Sequence, residues 1–496
     1  MAPKKPSLIK SYMAGLADVV SGERYTTILG YFFPELITAF LVNSLLGLID
    51  ATFVGHLKST TLFVALGATA SLLHFVKKVT EGISVGTIIL CGQYNGLKRF
   101  RDVGTAAVSA FWVMVVIGGM VSVTLYFGAQ TIFSFYHLSH KTMHAALPIL
   151  QLSALSIFLQ FLYFALIGFL RGIKNTRLPM NFFVLGGLFF VFFDYALVFG
   201  RFGFPEMGLI GSAIATLVQQ SVMLIAAIVY IFFNPSMRQY CLGIFSSIDR
   251  KMALDIIRLS WPVMIDKAVV ATTKIWLWRL YAPMGKVALA SFSAVDKMEQ
   301  LAFVPALAFA QVITFLVSND YGAANWKGIK NNIKKVLFLS SSMVFALLLV
   351  FALWPEVVIQ LFDAKGKFTW FAGAVFPMIS VMVIFDLLQV ILAGALRGAA
   401  NVRVVMVTRV VVYAVLFFPL SYFFSLLPIE NVLLKFILIY SSFYIADGVM
   451  GLIYVLWFRR DRWKYDADVS CDRNSEDEHA THNGERGSSS GESRPS

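Results

Sequence analysis

Two aspartates stand inside long apolar segments of the first half of the sequence, close to where those segments end. Asp50 lies seven residues before Leu57, and Asp194 lies six residues before Gly200. At about 1.5 Å per residue, both carboxylates would lie roughly 10 Å below the same surface of a membrane. They could share a proton or a cation, and Asn43, two helical turns before Asp50, would face the same way. We expect an ion-coupling site there, although each aspartate could also bond a nearby backbone or hydroxyl group and only pack.

A second group of charges, Lys77, Lys78 and Glu81, lies within the next apolar segment. A charge in a membrane core costs at least about 2.5–3.5 kcal/mol on insertion scales, so such residues need partners or a function. On a helix Glu81 is about one turn from both lysines, which permits a local ion pair. The sequence leaves open whether this is a structural pair or part of a polar pathway.

Charges of both signs also fall in two neighbouring apolar segments of the second half. Lys267 and Lys274 share a helical face and could meet the acids of the following segment. The set would line a polar cavity or form a buried network, and the sequence favours neither. Its members are Asp266, Lys267, Lys274, Asp296, Lys297 and Glu299.

Two further aspartates lie deep in later apolar segments. Asp386 stands near the middle of one segment, with Gln389 about one turn further on, and Asp447 is equally deep in the last segment. Because an intramembrane carboxylate is a functional candidate by default, either could be a second titrating site.

The elements that must position these residues are membrane-spanning helices. Of the 496 residues 58% are hydrophobic and only 14% are charged, which excludes an ordinary soluble domain. Each spanning helix needs about 20 apolar residues. Twelve such segments lie near 27–57, 61–94, 103–128, 146–170, 180–200, 207–233, 257–284, 287–318, 336–360, 369–396, 404–427 and 432–458. We therefore predict an all-α polytopic membrane protein with twelve transmembrane helices.

The charge balance of 41 Lys and Arg against 28 Asp and Glu, a net +13, concerns the membrane rather than nucleic acid. Basic residues concentrate in every second gap between apolar segments, as with Lys98, Arg99 and Arg101, so both termini are predicted to be cytoplasmic. The predicted units are an N-terminal segment (1–25), an N-lobe (26–233), a cytoplasmic linker (234–256), a C-lobe (257–460) and a disordered cytoplasmic tail (461–496).

The sequence repeats itself at an offset of 226 residues. Leu170-Arg171-Gly172 recurs as Leu396-Arg397-Gly398, and the segment 92–96 aligns with 318–322. Each half holds six spans, an even number, so the halves enter the membrane from the same side. The repeat predicts two six-helix lobes related by a parallel pseudo-two-fold axis, with substrate bound between them near the midplane.

Signatures of ATP-driven transport and of metal-dependent hydrolysis are missing from the sequence. There is no GxxxxGK[ST] loop and no HExxH, and no nucleophile–base pair can be identified, so neither ATP-powered transport nor a membrane hydrolase is indicated. His137, His140 and His144 have a spacing that could hold a metal on a helix, but no carboxylate accompanies them. We expect no enzyme activity, no cofactor and no metal.

In their order along the chain, several motifs resemble those of the multidrug and toxic compound extrusion (MATE) family. They are Asp50-Ala-Thr-Phe-Val-Gly55, Cys91-Gly-Gln-Tyr-Asn-Gly96, Leu170-Arg-Gly-Ile-Lys-Asn-Thr-Arg-Leu-Pro179, Asp194-Tyr-Ala-Leu-Val-Phe-Gly200, Gly208-Leu-Ile-Gly-Ser-Ala-Ile-Ala-Thr216, Asp386-Leu-Leu-Gln389 and Gly394-Ala-Leu-Arg-Gly398. The resemblance covers about residues 25–460.

This resemblance implies a secondary antiporter that exports organic compounds, often cationic, in exchange for protons or sodium by alternating access. It places Asp50 and Asp194 on the coupling carboxylates of the first lobe, with Asn43 and Thr216 as their polar partners. Asp386 matches an aspartate of the second lobe in one branch. The implied setting is a lipid bilayer, a bacterial inner membrane, with small organic substrates, no nucleic acid and a monomeric chain.

Two positions depart from the family pattern. Phe190 stands where the family often has Asn, and Val270 stands where the branch with the second-lobe aspartate often has Glu. The lysines of spans two, seven and eight are also unusual for a pump of cations. They leave open an anionic or zwitterionic metabolite as substrate, or a flippase for a lipid-linked precursor.

Overall fold

The computed structural model describes residues 22–46, 49, 52, 60–135, 140–243, 248–360 and 366–464. Within these ranges every regular element is helical. Asp50, the side chain of Asn43 and most of the predicted tail lie outside the described residues, and so do the side chains of His137, His140 and His144.

Twelve long helices follow one another along the described chain. They are α1 (Tyr25–Phe40, continued by a π-helical turn over Leu41–Leu45), α2 (Thr60–Gly96), α3 (Phe100–Phe135), α4 (His140–Gly172), α5 (Arg177–Phe199), α6 (Leu209–Phe233), α7 (Arg250–Tyr281), α8 (Lys286–Gly322), α9 (Trp326–Leu353), α10 (Thr369–Gly398), α11 (Val402–Leu426) and α12 (Val432–Arg459). The prediction of an all-α protein with twelve transmembrane helices is therefore confirmed.

Nine of the twelve, all except α1, α2 and α7, are long and apolar enough over their described residues to cross a membrane. The described α-helix of α1 has 16 residues, and α2 and α7 carry the charged clusters noted in the sequence. The charges of α2 and α7 thus lower the hydropathy of these two helices, whereas α1 is excluded by the length of its described α-helix.

The bounds predicted for span nine, 336–360, were wrong at both ends. The helix α9 begins ten residues earlier, at Trp326. Its first turns contain the buried polar residues Asn331, Asn332 and Lys335, which lower the hydropathy of this part of the helix. It ends at Leu353, and a separate short helix, Pro355–Gln360, follows. Pro355 explains this break, since proline cannot donate a backbone hydrogen bond to a continuing helix.

Helices α2 and α8 cross at two glycines that are equivalent in the repeat. A Cβ added at Gly96 would lie 2.0 Å from the carbonyl oxygen of Asn319, and one added at Gly322 would lie 2.0 Å from that of Gln93. A shift of 226 residues converts each contact into the other. The predicted pseudo-two-fold repeat is therefore confirmed by a reciprocal contact, and only glycine fits at its two closest points.

The same offset relates the packing inside the two lobes. In the N-lobe a Cβ at Gly168 of α4 would lie 3.0 Å from the carbonyl oxygen of Ser84 in α2. In the C-lobe a Cβ at Gly394 of α10 would lie 2.8 Å from the carbonyl oxygen of Ala310 in α8. Each lobe thus packs its second helix on its fourth through the same close approach.

The described contacts between lobes lie towards one face, here called the terminal face, where α1 begins and α2, α8 and α12 end. There the amide of Asn95 donates to Oδ1 of Asn319 at 2.7 Å, and the amide of Asn319 donates to the carbonyl of Gly172 at 2.8 Å. Deeper in the molecule the ring of Phe32 stacks on Phe309 with centroids 4.0 Å apart. The lobes are closed against each other at this face.

Glu23 ties both lobes together at the terminal face. Its carboxylate accepts a hydrogen bond from Lys174 at 2.9 Å, while its backbone N–H donates to Oδ1 of Asn332 and its carbonyl accepts from Lys335, both at 2.8 Å. Burial lowers the pKa of a lysine, but the Glu23 carboxylate outweighs this and raises the pKa of Lys174 above its ordinary value. The start of α1 is thereby fixed to α9 of the opposite lobe.

We predict that Gly96→Ala destabilises this closed arrangement by about 1–3 kcal/mol, because the added methyl group must push α2 and α8 apart. Gly30→Ala on α1 is the matched control, since a Cβ there meets nothing within 4 Å. Thermal unfolding of the purified variants measures the difference. Equal melting temperatures for the two variants would contradict the crossing.

Candidate functional site

Asp194 is fully buried in α5, at the level of a polar turn of α6. A Cβ at Gly211 of α6 would lie 2.8 Å from the carbonyl oxygen of Leu197, which fixes the register of these antiparallel helices. Asp194 lies three residues from Leu197, and Thr216 lies five residues from Gly211, both in the direction of the terminal face. At about 1.5 Å per residue, the depths of Asp194 and Thr216 differ by about 3 Å. The hydroxyl of Thr216 donates to the carbonyl of Ser212 at 3.1 Å.

The helix that leads to Asp50 runs beside α5. The side chain of Leu46 lies 3.6 Å from where a Cβ would stand on Gly187 of α5. Just before Leu46, α1 changes to a π-helical turn over Leu41–Leu45, which includes Asn43. Single π-helical turns are frequent at functional sites. The Asp50–Asp194 pair stays a prediction, because Asp50 lies outside the described residues.

In the C-lobe, Asp266 of α7 is buried between two arginines. Arg397 at the end of α10 lies 2.5 Å from Oδ2, and Arg409 of α11 bonds the other carboxylate oxygen. Arg409 also donates to the hydroxyl of Tyr413 at 3.3 Å, which in turn donates to Asp447 at 3.0 Å. One chain of hydrogen bonds thus joins α7, α10, α11 and α12.

A smaller buried pair occupies the related place in the N-lobe. Arg171 at the end of α4 forms two hydrogen bonds, of 2.8 and 2.7 Å, with the carboxylate of Glu35 in α1. Arg171 and Arg397 are repeat equivalents, and each holds a carboxylate of the first helix of its lobe.

Sequence reasoning missed Glu35 and Arg409, although both are ionisable residues within apolar segments. It noted Arg171 and Arg397 only as markers of the repeat and of the family motifs. The repeated Leu-Arg-Gly was the available signal, because a repeated arginine at a helix end needs a repeated anion nearby.

The remaining candidates of the C-lobe lie around Lys274. This lysine forms an ion pair with Asp296 of α8, and Phe443 of α12 lies 5.8 Å from its Nζ. Asp386 interacts electrostatically with Lys274 and Arg409, while Gln389 is buried on the same helix, α10.

Glu299 of α8 is turned towards α12. It accepts hydrogen bonds from the hydroxyls of Tyr444, at 2.6 Å, and Tyr440. Its carboxylate is thus held by α12 within the C-lobe.

Charges on α2 and α7 face each other between the lobes. Lys78 donates to both carboxylate oxygens of Glu81, at 3.0 and 3.1 Å, and Lys267 interacts electrostatically with both of these residues. Lys77 is exposed beside them. Within the described residues no group of three or more His, Cys, Asp or Glu is arranged to hold a metal ion.

Comparison with known proteins gives a consistent result. The MatE family matches residues 36–196 and 262–423 of this chain. The chain is 24% identical to a "Probable multidrug resistance protein NorM" of Thermotoga maritima, over 73% of this chain and 77% of that protein. It is 25% identical to a protein of the same description from Bacillus cereus, over 79% and 86%.

A solved structure described as the outward-facing conformation of a multidrug resistance MATE family transporter of the MOP superfamily has the same fold. The TM-score is 0.80 at 17% identity, covering 88% of this chain and 95% of that one.

We predict that Asp266→Asn lowers the free energy of unfolding by about 3–5 kcal/mol, because two buried guanidinium groups lose their anion. The matched control on the same helix is Asp255→Asn, which removes an exposed pair with Arg258 at 3.5 Å and should change stability by less than about 1 kcal/mol. Thermal or chemical unfolding of both variants tests this. A loss for Asp266→Asn no larger than that of the control would show that the arginines find other partners.

Proposed function

The chain belongs to the MatE family, and from this premise we propose that it is a secondary antiporter that exports organic compounds in exchange for protons or sodium. The multidrug resistance proteins among its relatives support efflux of such compounds. The observation that carries the proposal is a pair of pseudo-symmetric lobes closed at the terminal face, with charged side chains above the closure and a buried carboxylate in the N-lobe. Such a molecule can bind solute between its lobes and open to one side at a time.

The conformation described above is, in this proposal, the outward-facing state. The positive-inside rule makes the terminal face cytoplasmic, since the basic gaps of the sequence lie there. Opening to the cytoplasm must break the contact of Asn95 with Asn319 and those of Glu23 with Asn332 and Lys335. These contacts supply the difference in free energy between the two states that substrate and ion must overcome.

The coupling ion would act at Asp194 together with Asp50. A ligand shifts a two-state equilibrium only by its difference in affinity for the two states. A proton or cation on a fully buried carboxylate between α5 and α6 meets this condition if α1, which runs beside α5, moves during the cycle. The C-lobe acids Asp386 and Asp447 are the second candidates, because their network joins four helices.

A flippase for a lipid-linked precursor is the alternative function. The lysines between the lobes favour it, because cationic side chains inside a membrane cavity can hold a phosphate. A flippase of this kind would move lipid without an ion gradient across the vesicle. We also propose that the chain works as a monomer in a bacterial inner membrane.

We predict that Asp194→Asn, like Asp50→Asn, reduces gradient-driven dye efflux to below about a tenth of the wild-type rate, because the neutral amide cannot exchange a proton or balance a cation. Purified protein in proteoliposomes is tested under a sodium gradient and a pH gradient separately. Asp102→Asn, at the terminal face beside Arg99, is the control and should retain full efflux. Efflux by Asp194→Asn at the wild-type rate under both gradients would refute the coupling role.

A further inference from the structure

We propose that the cleft between the lobes binds an organic anion, that is, a carboxylate, sulfonate or phosphate joined to an apolar body. This inference rests on the proposed transport function and names the substrate class of the same cleft.

The lysines of α2 lie on the face that meets the C-lobe. Asn95 and Gly96 follow Lys77 and Lys78 by eighteen residues, which is five complete turns of an α-helix. The two lysines therefore lie on the same side of α2 as Asn95 and Gly96. Both of those residues contact Asn319 of α8. The two lysines therefore continue the interface towards the open side, where Lys77 is exposed.

Lys267 enters the cleft from the opposite lobe at the same depth. A Cβ at Gly82 of α2 would lie 3.0–3.1 Å from Met264 of α7, which marks the inner end of the closed part. Lys267 lies one turn beyond Met264 on an antiparallel helix, and this brings it to the level of Lys78 and Glu81. Its electrostatic interactions with both residues agree with this placement.

Lys297 of α8 completes the lining. It precedes Phe315 by eighteen residues, and the ring of Phe315 meets Tyr31 of the N-lobe with centroids 5.5 Å apart. Lys297 therefore faces the N-lobe as well, and it is exposed. It donates to the neutral side chain of Gln300 at 3.4 Å.

The acids that share this lining are outnumbered by the lysines, and two of the acids are bonded to lysines. Glu81 is bonded by Lys78, and Asp296 is bonded by Lys274 and by the amide of Gln300. Asp386, which interacts electrostatically with Lys274, is the third acid, so the lining holds five lysines against three acids, a formal charge of +2. The lysines are Lys77, Lys78, Lys267, Lys274 and Lys297.

The other C-lobe acids are directed away from the cleft. Asp266 lies between two arginines, Glu299 is held by two tyrosines of α12, and Asp447 is fully buried beside Tyr413. They stabilise the interior of the lobe and do not offer a site for a cationic solute in the cleft.

The apolar part of such a ligand would find an aromatic wall. Phe75 of α2 is 46% exposed and faces the same way as Gly82, two turns further on, at the inner end of the cleft. Phe443 lies beside the Lys274 ammonium. An amphiphilic anion can place its charge among the lysines and its ring system against these side chains, whereas a cation would meet like charges, which disfavours binding.

Equilibrium binding to the purified full-length protein tests the ligand class without any gradient. Carboxyfluorescein and a rhodamine ester share a xanthene core but carry opposite charges. Fluorescence anisotropy titrations with each dye therefore compare the affinities of an anion and a cation of similar shape. We expect the anion to bind at least about tenfold more tightly and to weaken as salt is added. Equal binding, or tighter binding of the cation, overturns the proposal.

Charge variants locate the site. Lys297→Glu should weaken binding of carboxyfluorescein about tenfold or more and strengthen that of the rhodamine ester. The matched control is Lys286→Gln, an exposed lysine at the start of the same helix, which should leave both affinities within about twofold. If Lys297→Glu does not fold, Lys267→Gln is used as the test variant. The same loss of affinity for carboxyfluorescein is expected. An unchanged affinity in the folded variant refutes the cleft as the site.

Proteoliposomes separate this inference from the proposed function and identify the source of the anion. Transport driven by either gradient that prefers the cationic dye refutes the anion class and leaves antiport intact. Selective anion binding without transport of any probe refutes antiport and leaves the anion class intact. Flipping of a fluorescent phosphatidylglycerol, but not transport of carboxyfluorescein, would assign the anionic group to a lipid.

Discussion

The two lobes are held together by the crossing of α2 and α8. A Cβ at Gly96 or Gly322 would lie 2.0 Å from a backbone carbonyl oxygen of the other helix, so the helices approach this closely only because both residues are glycines. The crossing brings the two lobes together near the terminal face and separates their charged helices further along. The closed face and the open cleft thus follow from one interhelical contact and the direction in which the helices leave it.

The two lobes solve the problem of intramembrane charge in related but unequal ways. Arg171 and Glu35 neutralise each other in the N-lobe, and nothing further is required of that pair. In the C-lobe the equivalent Arg397 lies beside Arg409, and the single carboxylate of Asp266 forms ion pairs with both arginines. The additional positive charge draws Tyr413 and Asp447 into the same network. The repeat thus explains why both lobes contain an arginine–carboxylate pair. The additional Arg409 of the C-lobe departs from the repeat and gives this lobe a more polar interior.

The net charge of +13 therefore combines basic residues with different tasks. Many lie in the gaps at the terminal face and set the predicted orientation. Arg171, Arg397 and Arg409 neutralise buried acids inside the lobes. The lysines of α2, α7 and α8 form a third group, and they make the space between the lobes positively charged. The net charge cannot distinguish these roles, because it does not show how deep in the membrane a residue lies or on which side of its helix.

The sequence predicts the twelve helices and their pseudo-two-fold arrangement, because hydropathy and a repeat are properties of the linear chain. It also placed Lys78 near Glu81, because both lie on one helix. It could not assign Glu35 to Arg171 or Asp266 to Arg409, which are more than a hundred residues apart and meet only after the helices have packed at a particular rotation. The start of α9 was missed for a related reason, because its polar turns are satisfied by other helices. Which lysines face the cleft can be read only from the folded structure, because this depends on how far each helix is rotated about its own axis.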